Sequence, residues 1–309
     1  LKQGLFTGAG KIAAGEPLLE TLVSPELFED NSTPTAYGVC YEDIKDRFKP
    51  RDLGVHKGDF GHLLILGGYP GYSGAALLCA SSAVRAGTGL VSLGTHPSHA
   101  SFMACARPEL MCHAISRISD VESLVKKASV IAVGPGLSQT PWGIQILECV
   151  RKTSLPCVYD ADALNLLALK PDLRVNRVLT PHVKEAARLL DVDVLEIELD
   201  RFSASRRMVK KYGGTVLLKG PGTVIVHEDQ VPVVLLDGNP GMASGGMGDV
   251  LTGIIGSFLA QGFPQGEATL LAGAVHSHAA DIASIKYGQR GLAANDLMNC
   301  IRTSVNPQE

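Results

Sequence analysis

The stretch Asn239-Pro240-Gly241-Met242-Ala243-Ser244-Gly245-Gly246-Met247-Gly248-Asp249, running into the apolar segment Val250–Ala260, has the residue types of an anion site. Unpaired amides at a helix start and the helix dipole both favour negative charge, and glycines let the chain turn those amides toward a guest. Gly245, Gly246, Met247 and Gly248 are therefore read as an anion hole for a phosphate. Asp249 falls in the first helical turn, where a carboxylate can act merely as a cap, stabilising by about 0.3–1 kcal/mol. A cap does not require glycines and a serine ahead of it. A base that takes a proton from a hydroxyl attacking a bound phosphoryl group is the favoured reading. Dipole and amides predict that this carboxylate is ionised at neutral pH.

Further clusters fall where strands end. Lys219-Gly220-Pro221-Gly222-Thr223 joins two apolar runs, and a plain β-turn would need no lysine, so phosphate or nucleotide contact is favoured. Gly67-Gly68-Tyr69-Pro70-Gly71-Tyr72-Ser73-Gly74-Ala75-Ala76 does not fit G-x-G-x-x-G, and no acidic residue ends the next run near Leu93, which speaks against a dinucleotide fold. Gly134-Pro135-Gly136 is a turn that leaves backbone amides bare. Asp160-Ala161-Asp162-Ala163-Leu164-Asn165 and Thr180-Pro181-His182-Val183-Lys184-Glu185 bring acids. His182 and Glu185 share one helical face, as a helix-capping pair or, for Glu185, as a water-mediated holder of Mg²⁺ beside phosphates. No G-x-x-x-x-G-K-[ST] occurs, so a P-loop is excluded.

These clusters need a scaffold that lines up strand ends, and the remaining text supplies one. Apolar runs at Leu63–Leu66, Leu90–Leu93, Val130–Val133, Cys157–Tyr159, Arg177–Leu179, Thr215–Lys219, Val224–Val226 and Val231–Leu236 predict strands. Gly74–Ala86, Pro141–Lys152 (N-capped by Thr140), Lys184–Leu190 and Leu195–Tyr212 predict helices, as do Gly248–Ala260, Gly266–Tyr287 and Asp296–Val305, the last capped by Asn295. The alternation predicts a mostly parallel sheet covered by helices, with an antiparallel edge hairpin through His227–Gln230. Of 309 residues, 45 % are hydrophobic and the net charge is −3, so no basic excess points to nucleic acid or a membrane surface. The seven cysteines form no C-x-x-C pair, which argues for reduced thiols in the cytoplasm over a disulfide framework or a zinc site. No apolar run is long enough to span a membrane.

In this order, His56-Lys57-Gly58-Asp59-Phe60-Gly61-His62, the Gly67–Ala76 loop, Gly134–Gly136, Asp160–Asn165, Thr180–His182, Lys219–Thr223 and Gly245–Asp249 resemble the carbohydrate-kinase-like dehydratases that repair hydrated NADH and NADPH. The resemblance covers about residues 50 to 305. It implies a three-layer α/β/α ribokinase-like fold. It also implies a reaction in which a nucleotide phosphorylates the hydrate's hydroxyl and loss of phosphate restores the nicotinamide ring. Carried over residue by residue, it implies hydrate contacts at Ala75, Gly136, His182 and Asp249, nucleotide contacts at Lys219, Gly220, Pro221, Gly222, Thr223 and Gly248, and Asp249 as base. Members commonly read Pro-His-Pro-Gly-Glu where this chain has Val183 and Lys184 in the middle, although the His182 to Glu185 spacing survives. Expected companions are Mg²⁺, ADP or ATP as co-substrate (ADP favoured by association with fused prokaryotic members), a monovalent cation as an open question, and a homo-oligomer. Leu1-Lys2-Gln3-Gly4-Leu5-Phe6-Thr7-Gly8-Ala9-Gly10 resembles the close of the epimerase domain of bifunctional members. Residues 1–46 are accordingly read as the remnant of an epimerase end plus linker, a fragment of a larger polypeptide, and 47–309 as the dehydratase domain. A vitamin-precursor kinase of the same superfamily is the alternative.

Overall fold

The computed structural model describes residues 3–15, 17 and 34–307; the polar linker read at Glu29 to Thr35 lies outside them as far as Thr33. One ten-stranded sheet carries the fold. Its strands are β1 (Tyr37–Val39), β2 (His62–Leu66), β3 (Leu90–Thr95), β4 (Met111–Ala114), β5 (Val130–Val133), β6 (Cys157–Tyr159), β7 (Arg177–Leu179), β8 (Thr215–Leu218), β9 (Val224–His227) and β10 (Val233–Leu235), ordered β1-β10-β9-β8-β7-β6-β5-β2-β3-β4. Only β9 opposes its neighbours. The antiparallel turn-backs on both sides of β9 are as the sequence predicts, but the sheet edge belongs to β1, which pairs parallel with β10, Gly38 opposite Val234.

Twelve α-helices are described: α1 (Gly8–Ala14), α2 (Ser73–Arg85), α3 (Ala100–Ala106), α4 (Ile118–Val125), α5 (Pro141–Arg151), α6 (Asp162–Leu169), α7 (Val183–Leu190), α8 (Val194–Leu199), α9 (Arg201–Tyr212), α10 (Met247–Ala260), α11 (Gln265–Tyr287) and α12 (Leu297–Ser304). Successive strand side chains point to opposite faces, and both faces are buried, so the strands read as unbroken apolar runs. Leu63, Ile65, Val130 and Ala132 pack with α2, α10 and α11, whereas Leu64, Leu66, Ile131 and Val133 pack with α5, α6 and α7. The result is three layers, helix on sheet on helix.

Three local expectations are corrected. The predicted helix Leu195–Tyr212 is two, broken at Asp200, whose side chain accepts from the Ser203 amide and starts α9 anew. Asn295 sits inside a short 3-10 turn and α12 begins after Asp296 with no side-chain cap. Thr140 does occupy the N-cap of α5, yet makes no capping bond; its hydroxyl is buried without a partner, and proline at the first turn leaves one amide fewer to satisfy. No helix among the described residues is long and apolar enough to cross a membrane.

Candidate active site

Parallel strands deliver their following loops to one end of the sheet, where ligands of open α/β folds bind. The order β8-β7-β6-β5-β2 sets Lys219, Thr180–His182, Asp160, Gly134–Gly136 and Gly67–Tyr72 side by side. Glycines let these loops touch. A Cβ on Gly134 would stand 1.8 Å from the Asp160 carbonyl, and one on Gly67 2.0 Å from the Pro135 carbonyl. The Gly134–Gly136 turn is less bare than its sequence suggests, because the Pro135 and Gly136 carbonyls accept from the Gly68 and Tyr69 amides at 3.0 and 2.7 Å. The Gly136 amide donates to none of the described residues. Ala75 and Gly136 both border Tyr72: the Ala75 amide donates to the Tyr72 carbonyl, and a Cβ on Gly136 would lie 2.5 Å from that oxygen.

Helix α10 brings the remaining parts over the same edge. It lies against α2 because Gly253 has no side chain; a Cβ there would meet the Cys79 carbonyl at 2.0 Å, and Ser82 Oγ donates across to the Val250 carbonyl at 2.9 Å. Gly246, left-handed at φ 91°, is the N-cap and offers no side chain. The first helical amide with an acceptor is that of Val250, so the amides of Ser244 to Asp249 point at nothing among the described residues. These free amides lie where the sequence reading expects an anion hole, at Gly245 to Gly248; the Met247 side chain is buried in the core, so only its amide is available there.

Asp249 makes no capping hydrogen bond. Its carboxylate accepts no hydrogen bond from the described chain, neither at the helix start nor elsewhere. Its ionisation at neutral pH is less complete than the dipole alone predicts: burial, then the nearby charge of Asp160 and that of Glu185, push its pKa up to about 7 against the pull of Lys219. Loss of hydration outweighs the dipole in a site this enclosed.

Lys219 Nζ donates to Asp160 Oδ1 at 2.9 Å and lies 3.9 Å from Glu185 Oε2, while Thr252 Oγ1 donates to Asp160 Oδ2 at 2.9 Å. Burial alone would raise Asp160, but the Lys219 ammonium and these hydrogen bonds bring it below the usual carboxylate range; burial would lower Lys219, and Asp160 more than restores it. The lysine read from its loop as a phosphate contact therefore has a carboxylate partner already. Asp160 and Thr252 were not singled out as a pair by sequence, although Thr252 lies one turn beyond Asp249 on the same helix face. A Cβ on Gly248 would lie 3.0 Å from Lys219 Nζ and 3.6 Å from Asp160 Oδ2. Gly248→Ala is expected to push the Lys219 ammonium aside slightly, setting alanine's helix gain of roughly 1 kcal/mol against a loosened Lys219–Asp160 pair, so that the net change in stability stays within about 1 kcal/mol; thermal melting checks it.

His182 and Glu185 do form the capping pair. His182 Nδ1 accepts from the amides of Lys184 and Glu185 at 3.1 and 3.3 Å, and Glu185 Oε2 accepts from the His182 amide at 2.8 Å. The ring is half-exposed, burial lowers its pKa, and with Nδ1 accepting its proton stands on Nε2, 3.5 Å from Glu185 Oε1. Glu185 is buried, which raises its pKa. Both Asp160 oxygens and one of Glu185 are engaged within the protein, which leaves Asp249 as the unengaged carboxylate. Among the described residues no group of three or more His, Cys, Asp or Glu could hold a metal ion, so a Mg²⁺ here would keep its waters and arrive on phosphates, with Glu185 available as an outer partner. Of the Lys219–Thr223 loop, Gly222 is buried beneath Phe6 and Thr7, whereas Gly220 and Pro221 are exposed.

A family profile described as NAD(P)H-hydrate dehydratase matches residues 63–303. Among similar proteins, the bifunctional NAD(P)H-hydrate repair enzyme of Escherichia coli is 42 % identical over 308 residues, 100 % of this chain and 59 % of its own length. The ADP-dependent (S)-NAD(P)H-hydrate dehydratase of Neisseria meningitidis is 38 % identical over 267 residues, 82 % of this chain and 88 % of its own. The crystal structure of the ADP/ATP-dependent NAD(P)H-hydrate dehydratase of Bacillus subtilis superposes with a TM-score of 0.79 at 28 % identity, covering 88 % of this chain and 98 % of that one. This chain spans 50–63 % of the length of the bifunctional bacterial relatives it matches.

Proposed function

From the premise that this chain belongs to the NAD(P)H-hydrate dehydratase family, we propose that it dehydrates the S-form of NADH hydrate and NADPH hydrate with ADP or ATP as co-substrate. The observation that carries the reading is the uncapped start of α10, where free amides from Ser244 to Asp249 adjoin a carboxylate that nothing else among the described residues uses. Amides fixed in place stabilise charge as it develops on a transferring phosphoryl group, and the carboxylate takes the hydroxyl proton. The terminal phosphoryl group passes to the hydrate's oxygen as its bond to the nucleotide breaks; the ring carbon's existing bond to that oxygen then breaks, phosphate leaves, and a ring proton is lost as the double bond re-forms. With ADP the balance is AMP, phosphate and NADH. Mg²⁺, brought by the nucleotide, supplies neutralisation of phosphate charge.

Within this reading, Ala75, Gly136 and the His182 Nε2–H border the hydrate, while Lys219, Gly220, Pro221, Thr223 and Gly248 border the nucleotide, with Gly222 shaping the loop from beneath. Residues 1–46 comprise the end of an epimerase domain and a linker, and 47–309 the dehydratase domain, working in the cytoplasm as a homo-oligomer. A vitamin kinase would share the hole and the base but keep the phosphate on its product. The test is direct. Protein mixed with hydrated NADH, Mg²⁺ and either ADP or ATP should restore the absorbance of reduced nicotinamide, with one phosphate freed per ring; a stable phosphorylated product and no recovered absorbance would overturn the proposal.

A further inference from the structure

The segment Phe6–Gly8, which by sequence resembles the close of a different domain, is built into the nucleotide edge of this one. Gly222 adopts φ 61°, and a Cβ there would stand 1.8 Å from the Phe6 carbonyl, so the segment lies flat on the loop. The Gly8 amide donates to the Pro221 carbonyl at 2.8 Å. Thr7 is buried, and its hydroxyl donates to the Gly222 carbonyl at 2.6 Å. That hydroxyl in turn accepts from Arg201 Nε at 2.8 Å, while Arg201 Nη2 donates to the Leu218 and Lys219 carbonyls at 3.0 and 3.2 Å.

Arg201 is 2 % exposed, and burying a guanidinium is costly unless its donors find acceptors. Here Nε and Nη2 find Thr7 and the backbone at which β8 gives way to the Lys219 loop, while Nη1 makes no hydrogen bond among the described residues and stands 3.7 Å from Glu198 Oε2. The Lys219 amide is held from the other side, donating to the Pro181 carbonyl at 2.8 Å. Backbone fixed on both sides determines where the Lys219 ammonium sits, and hence its reach to Asp160. Lys11, one turn on, donates to the Leu236 carbonyl at 2.7 Å and fastens the same segment to the end of β10.

We propose that Thr7, acting with Arg201, is a positioning residue that holds the Lys219–Thr223 loop in its nucleotide-binding shape, so that nucleotide affinity depends on a segment outside the α/β layers. The inference rests on reading that loop as the nucleotide loop. It predicts that Thr7→Val, which keeps the shape and removes the hydroxyl, weakens ADP binding about tenfold, the scale of losing a buried hydrogen-bonded pair. The KM for the hydrate should stay within about twofold, kcat at saturating nucleotide should persist, and Thr7→Ser should restore affinity.

The experiment is calorimetric titration of the full chain with Mg²⁺ and ADP, paired with hydrogen exchange at the Gly220, Gly222 and Thr223 amides. Protection of these amides by ADP in the parent, faster exchange in free Thr7→Val and the tenfold loss together bear the inference out. Protection in the parent with unchanged affinity in Thr7→Val overturns the positioning role alone. No protection in the parent overturns the reading of the loop and the inference with it. Should Thr7→Val fail to fold, Arg201→Lys, which keeps the charge but loses the fork that bridges Thr7 and the backbone, puts the same contacts to the same measurements.

Discussion

Asp249→Asn is expected to leave the chain folded and able to bind nucleotide, and to lower the rate of hydrate dehydration about 10²–10⁴-fold, the range for loss of a general base. Asparagine matches aspartate in size and makes no demand on the surroundings, because the carboxylate accepts no hydrogen bond there. The parent's pH profile should carry the same signature. A base whose pKa is pushed up to about 7 by burial and by Asp160 must lose its proton before it can accept another, so kcat/KM should rise with pH through about 7 in the free enzyme. Stability should run the opposite way. A carboxyl whose folded pKa stands above its unfolded one contributes nothing adverse while protonated in both states, below about pH 4. As pH rises through 7 the folded protein bears the cost of an enclosed charge. Asp249→Asn should therefore be more stable than the parent at pH 8, on the order of 2 kcal/mol after allowance for water reaching the site, and equal to it in acid. Steady-state rates and urea denaturation at pH 5 and 8 give both halves. A variant within about threefold of the parent in rate, far short of the ~10²-fold floor, would remove Asp249 as the base.

Lys219→Ala is expected to have the larger structural effect. Its loop read alone predicts a nucleotide contact whose removal leaves the fold intact. The structure revises this: the ammonium is bonded to buried Asp160 at 2.9 Å, and its removal strands a carboxylate inside the protein. Breaking one partner of a buried pair costs about 3–5 kcal/mol, much more than a surface bridge. Asp160 has its folded pKa lowered, so the stability it brings is present at neutral pH and lost on acidification. In Lys219→Ala that contribution is gone, and the gap between parent and variant should be widest at pH 7 and narrow toward pH 4. Asp160→Asn in the same chain should restore much of the loss. Asp249 also loses a neighbour that holds its pKa down, so residual activity should have its acid limb moved to higher pH. A Lys219→Ala protein as stable as the parent at pH 7 would show that the pair contributes nothing to the fold.

Much of the frame was legible from local pattern. Val130–Val133 and Cys157–Tyr159 are apolar on both faces because helices cover both sides of the sheet, and unbroken runs between turn residues mark such strands at their true ends. The start of α10 was legible to within one residue, Gly248 against the observed Met247, since a glycine cluster running into an apolar helix has few other uses. Strands β1 and β4 were not. Tyr37–Val39 is three residues long and becomes a strand only through pairing with Val233–Leu235, far along the chain, and Met111–Ala114 lies half-exposed at the other edge without alternation to reveal it.

By itself the sequence determined which residue types stand at strand ends and helix starts, because propensity, turn chemistry and periodicity act over a few residues. What those residues do to one another was decided by the sheet order. Asp160 and Lys219 are separated by 59 positions, and Thr7 and Gly222 by 215, yet each pair is in hydrogen-bond contact. Sheet order also shifted the titration of Asp249 up into the neutral range. Its helix position favours ionisation, but burial beside Asp160 and Glu185 opposes it, and desolvation depends on everything that closes around the group, which no local stretch of chain encodes.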